Sequence, residues 1–445
     1  MTLAHELIVD YAKRAGAEAM EVIQIASTDV AVSERMGKQE KLERSEHQSV
    51  GLRVWVGDRQ AIVSTDTSDE NTLKELVSNA VAMAKSSPPD PFAALAEAGM
   101  FAAHPPALEL ADSIEPDVAT LTSLCKKAES AALNVKGVTN SDGAEAGYSR
   151  YKIELMIAPR DGTPFVGSYQ STSYHTSISV VAGSGTNMEE DYAFSSTRFF
   201  SDLENASTLG IDAGERAVKR LNARKMPTCS VPIVWDKRVS KSLLGNFLSA
   251  INGNSIARKT SFLKDAMDRS IFAKGITITD DPHLSRGLGS KPFDGEGVQN
   301  KKTTLVENGE LKSWLLDIRS ANQLGLKTTG HASRALSSPP SPTSSNAYIH
   351  AGEISPEAMI AGISNGFYVT DLFGMGVNLI TGDFSQGARG FWIERGEIAY
   401  PVSEITIAGK LQDMFLHTTA ANDLEFKYAT NAPTLLIEGM TIAGS

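Results

Sequence analysis

Cysteine is scarce: Cys125 and Cys229 are the only two in 445 residues. Two thiols cannot build a disulfide framework, which excludes the small cross-linked secreted classes and leads us to expect a reducing cytoplasm. No run of about 18 consecutive apolar residues occurs, so no membrane-spanning helix is expected. The opening MTLAHELIVDYAKRAGAEAM mixes charge with apolar residues and carries no signal-peptide core. A surplus of positive charge is also missing. With 42 Lys and Arg against 53 Asp and Glu, the net charge is −11, and direct nucleic-acid binding is not expected. Histidine is thinly spread. No two of His5, His47, His104, His175, His283, His331, His350 and His417 lie within five residues, so no local pair of metal ligands forms. His5-Glu6 resembles the start of a zincin helix, yet Val9 stands where the second histidine belongs.

What is present describes a large globular chain. Apolar residues make up 41% and charged residues 21%, and at roughly 150 residues per domain the length predicts two or three domains. An amphipathic helix is predicted over 2–17, with Leu3, Leu7, Ile8 and Tyr11 on one face. Strands follow at 21–27, 30–34 and 49–56, the last turning at Gly57-Asp58 into 60–64. Thr67-Ser68-Asp69-Glu70 reads as a helix start, and Pro88-Pro89 ends that helix. Six of the 18 prolines fall in 86–116, predicting an extended excursion with one short helix. A helix over 117–135 carries Cys125, read as a small buried thiol rather than a nucleophile. Strand segments at 151–159, 164–172 and 176–182 and a helix over 208–224 complete the first half. The basic end of that helix balances its dipole, and Met226-Pro227 breaks it. The second half predicts hairpins at 303–306/311–316 and 391–393/398–402, helices at 238–251 and 355–363, and a mobile Ser/Pro-rich loop at 331–346. The fold class is therefore α+β, with the domain boundary placed between 1–226 and 227–445.

Active-site motifs are missing. Gly183-Ser184-Gly185 is no nucleophile elbow, and neither Gly287-Leu288-Gly289 nor Gly374-Met375-Gly376 completes a dinucleotide fingerprint. Carboxylates remain: Asp280-Asp281 before Pro282, and Asp294-Gly295-Glu296-Gly297, whose two acids would share one face of an extended strand. They are read either as acid/base or metal-binding groups or as polar turns bonding backbone amides. Trp314 and Trp392 read as core or interface anchors.

The stretches FDGEGVQNKKTTLVENGELKSWLLD (293–317), KTTGHASR (327–334) and GFWIERGEIAYPVSEITIAGKLQDMF (390–415) resemble the TldD/PmbA family, known historically as modulators of DNA gyrase. The likeness is close from about 230 onward and looser before. In the TldD-like branch a helix bears a His-Glu-x-x-x-His motif that, with a later cysteine, holds zinc. The matching stretch here is 242–254, where Leu244, Gly245, Asn246, Ser249 and Ala250 supply neither His nor Glu, and no cysteine follows Cys229. The sequence is thus similar to the PmbA/TldE-like branch.

That resemblance implies an N-terminal α/β domain followed by a C-terminal β-rich, barrel-like domain with a few helices. It implies a cytoplasmic, non-catalytic subunit without a metal or cofactor of its own. Zinc is expected in a TldD-like catalytic subunit with which the chain forms a heterodimeric peptidase acting on peptides and unfolded proteins. A homodimer is expected when that partner is absent. The candidate peptide-groove or interface residues are Asp294 and Glu296, with Gly382, Asp383, Ser385 and Gly387. Two alternatives stay open: an indirect modulator of gyrase, and an independent hydrolase using Asp294, Glu296 or Asp383.

Overall fold

Alternation of apolar and polar side chains from residue 19 onward builds long strands, because each strand buries one face and leaves the other for a second layer. The structure, a computed structural model, describes residues 2–374 and 376–444. The Leu3 side chain and Met375 lie outside the described residues. Helix α1 (Thr2–Ala15) leads into strands β1 (Ala19–Arg35), β2 (Lys38–Val56) and β3 (Arg59–Thr65). Then come α2 (Glu70–Ser86), α3 (Val118–Leu133), β4 (Val138–Ala158), β5 (Phe165–Ser184), β6 (Asn187–Thr197) and α4 (Ala206–Lys219). The six strands form one antiparallel sheet in the order β3-β2-β1-β4-β5-β6.

Local signals set several boundaries. Asp69 caps α2 by accepting from the Thr72 N–H at 3.0 Å. Residues 21–27 and 30–34 belong to one strand rather than two. The polar Thr28-Asp29 break between them is satisfied inside the sheet, where Asp29 accepts from Ser149 Oγ at 2.6 Å and Tyr151 OH at 3.2 Å. Segments 164–172 and 176–182 likewise merge into β5.

One face of the sheet is covered twice. Ile8 and Ala12 of α1 with Leu73 and Val77 of α2 pack on Met20, Val22, Leu52 and Val54. Further along, Leu121 and Cys125 of α3 with Leu209 and Ala213 of α4 pack on Val32, Tyr148, Tyr174 and Ile178. Cys125 is fully buried, and burial pushes its thiol up to about 12, so it serves as packing. The sequence expectation that the basic end of α4 only balances its dipole is incomplete. Arg216 and Arg220 turn back onto the buried Asp191, which Arg238 also reaches, at 2.9–3.2 Å.

After α4 the chain enters strand β7 (Cys229–Trp235) and helix α5 (Lys237–Ala250). Strands Asn365–Phe373, Cys229–Trp235, Leu435–Ala443, Glu397–Lys410 and Asp383–Glu394 pair in that order. Pairing of the first with the last closes a five-stranded barrel. The apolar stripe of α5, Leu243, Leu244 and Phe247, joins the barrel core with Trp235, Phe384, Ile407 and Ile437. Each such side chain contributes roughly 1.5–3 kcal/mol on burial. Trp314 and Trp392 are buried in the same core.

Two expectations of the second half are corrected. The 303–316 hairpin is short: Val306-Glu307 pairs with Glu310-Leu311, Lys312 N–H adds one in-register bond to Leu305 O at 2.8 Å, and Thr303-Thr304 pairs instead with Thr279-Asp280. The 331–346 stretch is not a loose loop. Ala332-Ser333 pairs with Ser341-Pro342, Thr343 N–H donates to His331 O at 2.8 Å, and Ala332, Pro342 and Asn346 are buried.

The other face of the large sheet receives the second half. Ile23, Leu155, Ile157 and Phe165 pack against Phe293. No helix among the described residues is long and apolar enough to cross a membrane.

Candidate functional site

Helix α5 is where the family resemblance puts metal ligands. Asp236 caps it by accepting from the Arg238 N–H at 2.8 Å, and its apolar stripe settles into the barrel. Leu244 and Ala250 therefore point inward. Gly245, Asn246 and Ser249 lie on the outward side. A side chain added at Gly245 would meet nothing within 4 Å, and Ser249 Oγ donates back to the Gly245 carbonyl at 2.9 Å. Zinc is held by thiolate, imidazole or carboxylate, and this face presents an amide, a hydroxyl and no side chain at all. These residues do not fit the metal. Among the described residues, no group of three His, Cys, Asp or Glu side chains is placed to hold a metal ion.

The acids at 294 and 296 occupy a turn, not an extended strand, so they do not share a strand face. They are 1% and 3% exposed. Asp294 accepts from the N–H groups of Glu296 at 2.8 Å, Val298 at 2.9 Å and Ala332 at 3.2 Å. Glu296 accepts from the N–H of Ile318 at 2.9 Å. Lys291 lies buried beside them and donates to the Ala332 carbonyl at 2.9 Å. Above them the Glu21–Arg53 pair is closed at 2.9 Å with both side chains 1% exposed, and Arg334 stands 4.0 Å from the same carboxylate. Asp280, the strand-end acid, accepts from the Ser345 N–H at 2.8 Å and lies 3.3 Å from His331 Nε2. The open space nearest Asp294 is a cavity of about 110 Å³ under Ile23, Leu155 and Tyr169. This constellation ties the large sheet to the second half.

Burial raises the Asp294 carboxyl to about 6 against the opposing pull of Lys291 and the amide donors. Burial, and then Asp294 and Asp317, push Glu296 well above the usual carboxylate range. The folded state thus holds these protons more tightly than the unfolded chain does. The Asp294 contribution to stability is present below the ordinary carboxylate range and is lost as pH climbs through about 6, and that of Glu296 is likewise lost as pH rises. Thermal unfolding between about pH 4 and about pH 7 is expected to show a falling melting temperature, with a shallower fall for Asp294→Asn. Equal slopes for the two proteins would remove Asp294 from the titration.

The 382–387 segment lies elsewhere, at the start of the strand Asp383–Glu394. Gly382 has φ +80°, and a Cβ there would come within 2.0 Å of Gln412 Oε1. Asp383 is exposed and bonded to Lys410 at 2.5 Å and to the Thr381 hydroxyl. Ser385 N–H donates to Gly376 O at 2.6 Å. Gly387 leaves room for the Phe373 ring, which a Cβ would meet at 2.2 Å. No hydrogen bond or ion pair among the described residues joins this hairpin to Asp294 or Glu296.

Sequence reasoning missed a cleft between the two halves. It opens along β6 and holds about 430 Å³ between Phe194, Ser196 and Arg198 on one wall and Leu284, Phe426 and Tyr428 on the other. It runs on toward Tyr192 and the first turn of α5 at Lys237 and Arg238. Phe194 and Tyr428 rings lie 5.4 Å apart, and the Lys241 ammonium sits 3.3 Å over the Tyr428 ring. Burial lowers this lysine to about 8, helped by Arg238. The pairing of aromatics at 192 and 194 within a strand was the only local signal.

Comparison with known proteins bears on this geometry. The PmbA/TldA metallopeptidase C-terminal domain matches residues 228–444, domain 1 of the same family matches 20–84, and the central domain matches 104–221. The chain is 36% identical to the metalloprotease PmbA of Escherichia coli O157:H7, over 95% of this chain and 92% of that protein. It is 35% identical to a metalloprotease PmbA homolog of Haemophilus influenzae, over 98% and 94%. Its fold matches a crystal structure from Bacteroides thetaiotaomicron described as a modulator of DNA gyrase, with a TM-score of 0.91, 26% identity and coverage of 100% and 99%. It also shares the fold of TldE from Thermococcus kodakarensis, with a TM-score of 0.84 at 20% identity over 99% and 100%.

Proposed function

Since this chain belongs to the PmbA/TldD metallopeptidase family, we propose that it is the supporting, non-catalytic subunit of a zinc peptidase that acts on peptides and unfolded chains. One observation carries the reading: the outward face of α5 presents Gly245, Asn246 and Ser249 where a zinc-binding helix needs imidazoles. In this reading zinc and the attacking water belong to a TldD-like partner, and the chain helps enclose the substrate and binds that partner. Its own acids do not replace the metal, because Asp294 and Glu296 are occupied by backbone amides.

The test is purification of the chain alone and after capture from its native cytosol, with zinc and peptidase activity measured on both. The expected result is an inactive, zinc-free chain alone. With the partner bound, about one zinc per pair and peptide cleavage are expected. Robust cleavage by the isolated chain, or stoichiometric zinc in it, would sink this reading.

A further inference from the structure

Strand β6 has one edge bonded to β5 and the other turned to the cleft, and two contacts decide which residues face which way. The Thr172 carbonyl on β5 accepts from Arg198, the residue that follows β6, at 3.1 Å, and the Thr172 N–H turns the same way, to Leu110 O at 2.9 Å. By the two-residue period of a strand, Tyr174, Thr176 and Ile178 therefore bond toward β6, where they face Thr197, Ser195 and Ala193. The alternate residues Glu190, Tyr192, Phe194 and Ser196 direct their N–H and C=O groups away from the sheet.

Most of that outward edge is already covered. Tyr192 N–H donates to Asp191 Oδ1 at 2.8 Å, and its carbonyl accepts from Arg216 at 2.8 Å and Arg238 at 3.2 Å. The Glu190 carbonyl accepts from Arg220 at 3.4 Å. Phe194 and Ser196 differ. Among the described residues, nothing bonds to their outward N–H and C=O groups, and both line the cleft.

We propose that this open edge of β6 binds an extended polypeptide segment, which adds to the large sheet as a further strand. Donor and acceptor groups repeating every second residue are matched by another extended backbone. The walls say what side chains it carries. Arg286 is paired with Asp202 at 3.0 Å and Lys427 with Glu204 at 2.9 Å, and Arg198 donates to the carbonyls of Thr172, Gly287 and Leu288, so the cations of the lining are already engaged. The exposed Phe426 and the Tyr428 ring offer aromatic surface. The occupant is a segment with apolar or aromatic side chains and little charge, of the kind an unfolded protein exposes. A folded protein has its strands already paired and presents no such backbone. This site deepens the supporting-subunit reading and rests on it only for the source of the peptide.

The experiment uses the full chain and a soluble ten-residue unfolded peptide alternating serine with phenylalanine or valine. A second peptide carries N-methyl groups on the alternate residues that would donate to β6. Binding is read by fluorescence anisotropy, and amide exchange is read at single residues. In the free protein the Phe194 and Ser196 amides should exchange far faster than those of Ala193 and Ser195. The first peptide should protect both, and the methylated peptide should not.

Ser196→Pro removes a donor that serves no bond among the described residues, a change that edge strands accept. Its affinity should fall roughly tenfold, the size of one lost hydrogen bond. Peptide binding without protection at Phe194 and Ser196, and with equal affinity for the methylated peptide, overturns this site while leaving the peptidase-subunit reading intact. No peptide binding at all overturns the site and the chain's direct part in holding substrate, while zinc and activity in the partner complex would still stand as a separate result. Protection that appears without peptide and grows with protein concentration would assign the edge to a second copy of this chain and overturn the peptide.

Discussion

Glu21→Ala is expected to destabilise the protein by about 3–5 kcal/mol, the cost of leaving a buried charge without its partner. The Glu21 carboxylate bonds Arg53 at 2.9 Å, and Arg334 stands within 4.0 Å. All three side chains are 1% exposed. Removing the acid leaves two guanidinium groups out of water, and arginine cannot shed its proton to escape. The reverse substitution, Arg53→Ala, should cost less, because Glu21 keeps the Arg334 guanidinium within 4.0 Å. Glu21→Gln keeps an acceptor for Arg53 and should fall between the two. Urea unfolding of the three variants checks the order. A Glu21→Ala loss within about 0.5 kcal/mol, typical of surface sites, would show that water reaches the pair.

Gly390→Val is expected to cost on the order of 3 kcal/mol, at the upper end of what overpacking does to a core. Gly390 sits where the strand Asp383–Glu394 pairs with Val369 on one side and Val402 on the other. A Cβ there would lie 2.0 Å from the Tyr368 carbonyl oxygen and 3.0 Å from the Phe367 ring. Backbone cannot move aside as a side chain can, so the added atoms must open the seam that closes the barrel. Near-ultraviolet circular dichroism, which reads the packing of Trp235 and Trp392, should weaken along with the melting temperature. Gly245→Ala is the control, since its new methyl meets nothing within 4 Å. It should stabilise α5 by up to about 1 kcal/mol through helix propensity. An unchanged melting temperature for Gly390→Val would mean that the two strands do not approach as described.

Both acids singled out in the sequence were visible there as a pair, and the turn reading of them was already open beside the catalytic one. Whether they meet substrate or backbone depends on Ala332 and Ile318, which lie far along the chain and supply the N–H groups that occupy them. The same limit applies to Asp383, whose partner Lys410 comes from the neighbouring strand. The cleft was the least legible feature. Phe194 and Tyr428 are separated by most of the second half of the chain and meet only because the sheet and the barrel pack side by side.

The sequence by itself determined the scarcity of thiols, the acidic balance, the family resemblance and the elements whose ends carry local chemistry, such as the helix start within 67–70 and the hairpin turn between 393 and 398. Those features act over a few residues, where φ, ψ preferences and nearby hydrogen bonds decide the outcome. Tertiary structure alone decided that 21–34 is one strand, that 331–346 is a bonded hairpin, that Asp294 and Glu296 are buried, and that β6 keeps two outward residues unpaired among the described residues. Burial, strand pairing and proton affinity depend on what another part of the chain brings within a few ångströms, and no local pattern contains that information.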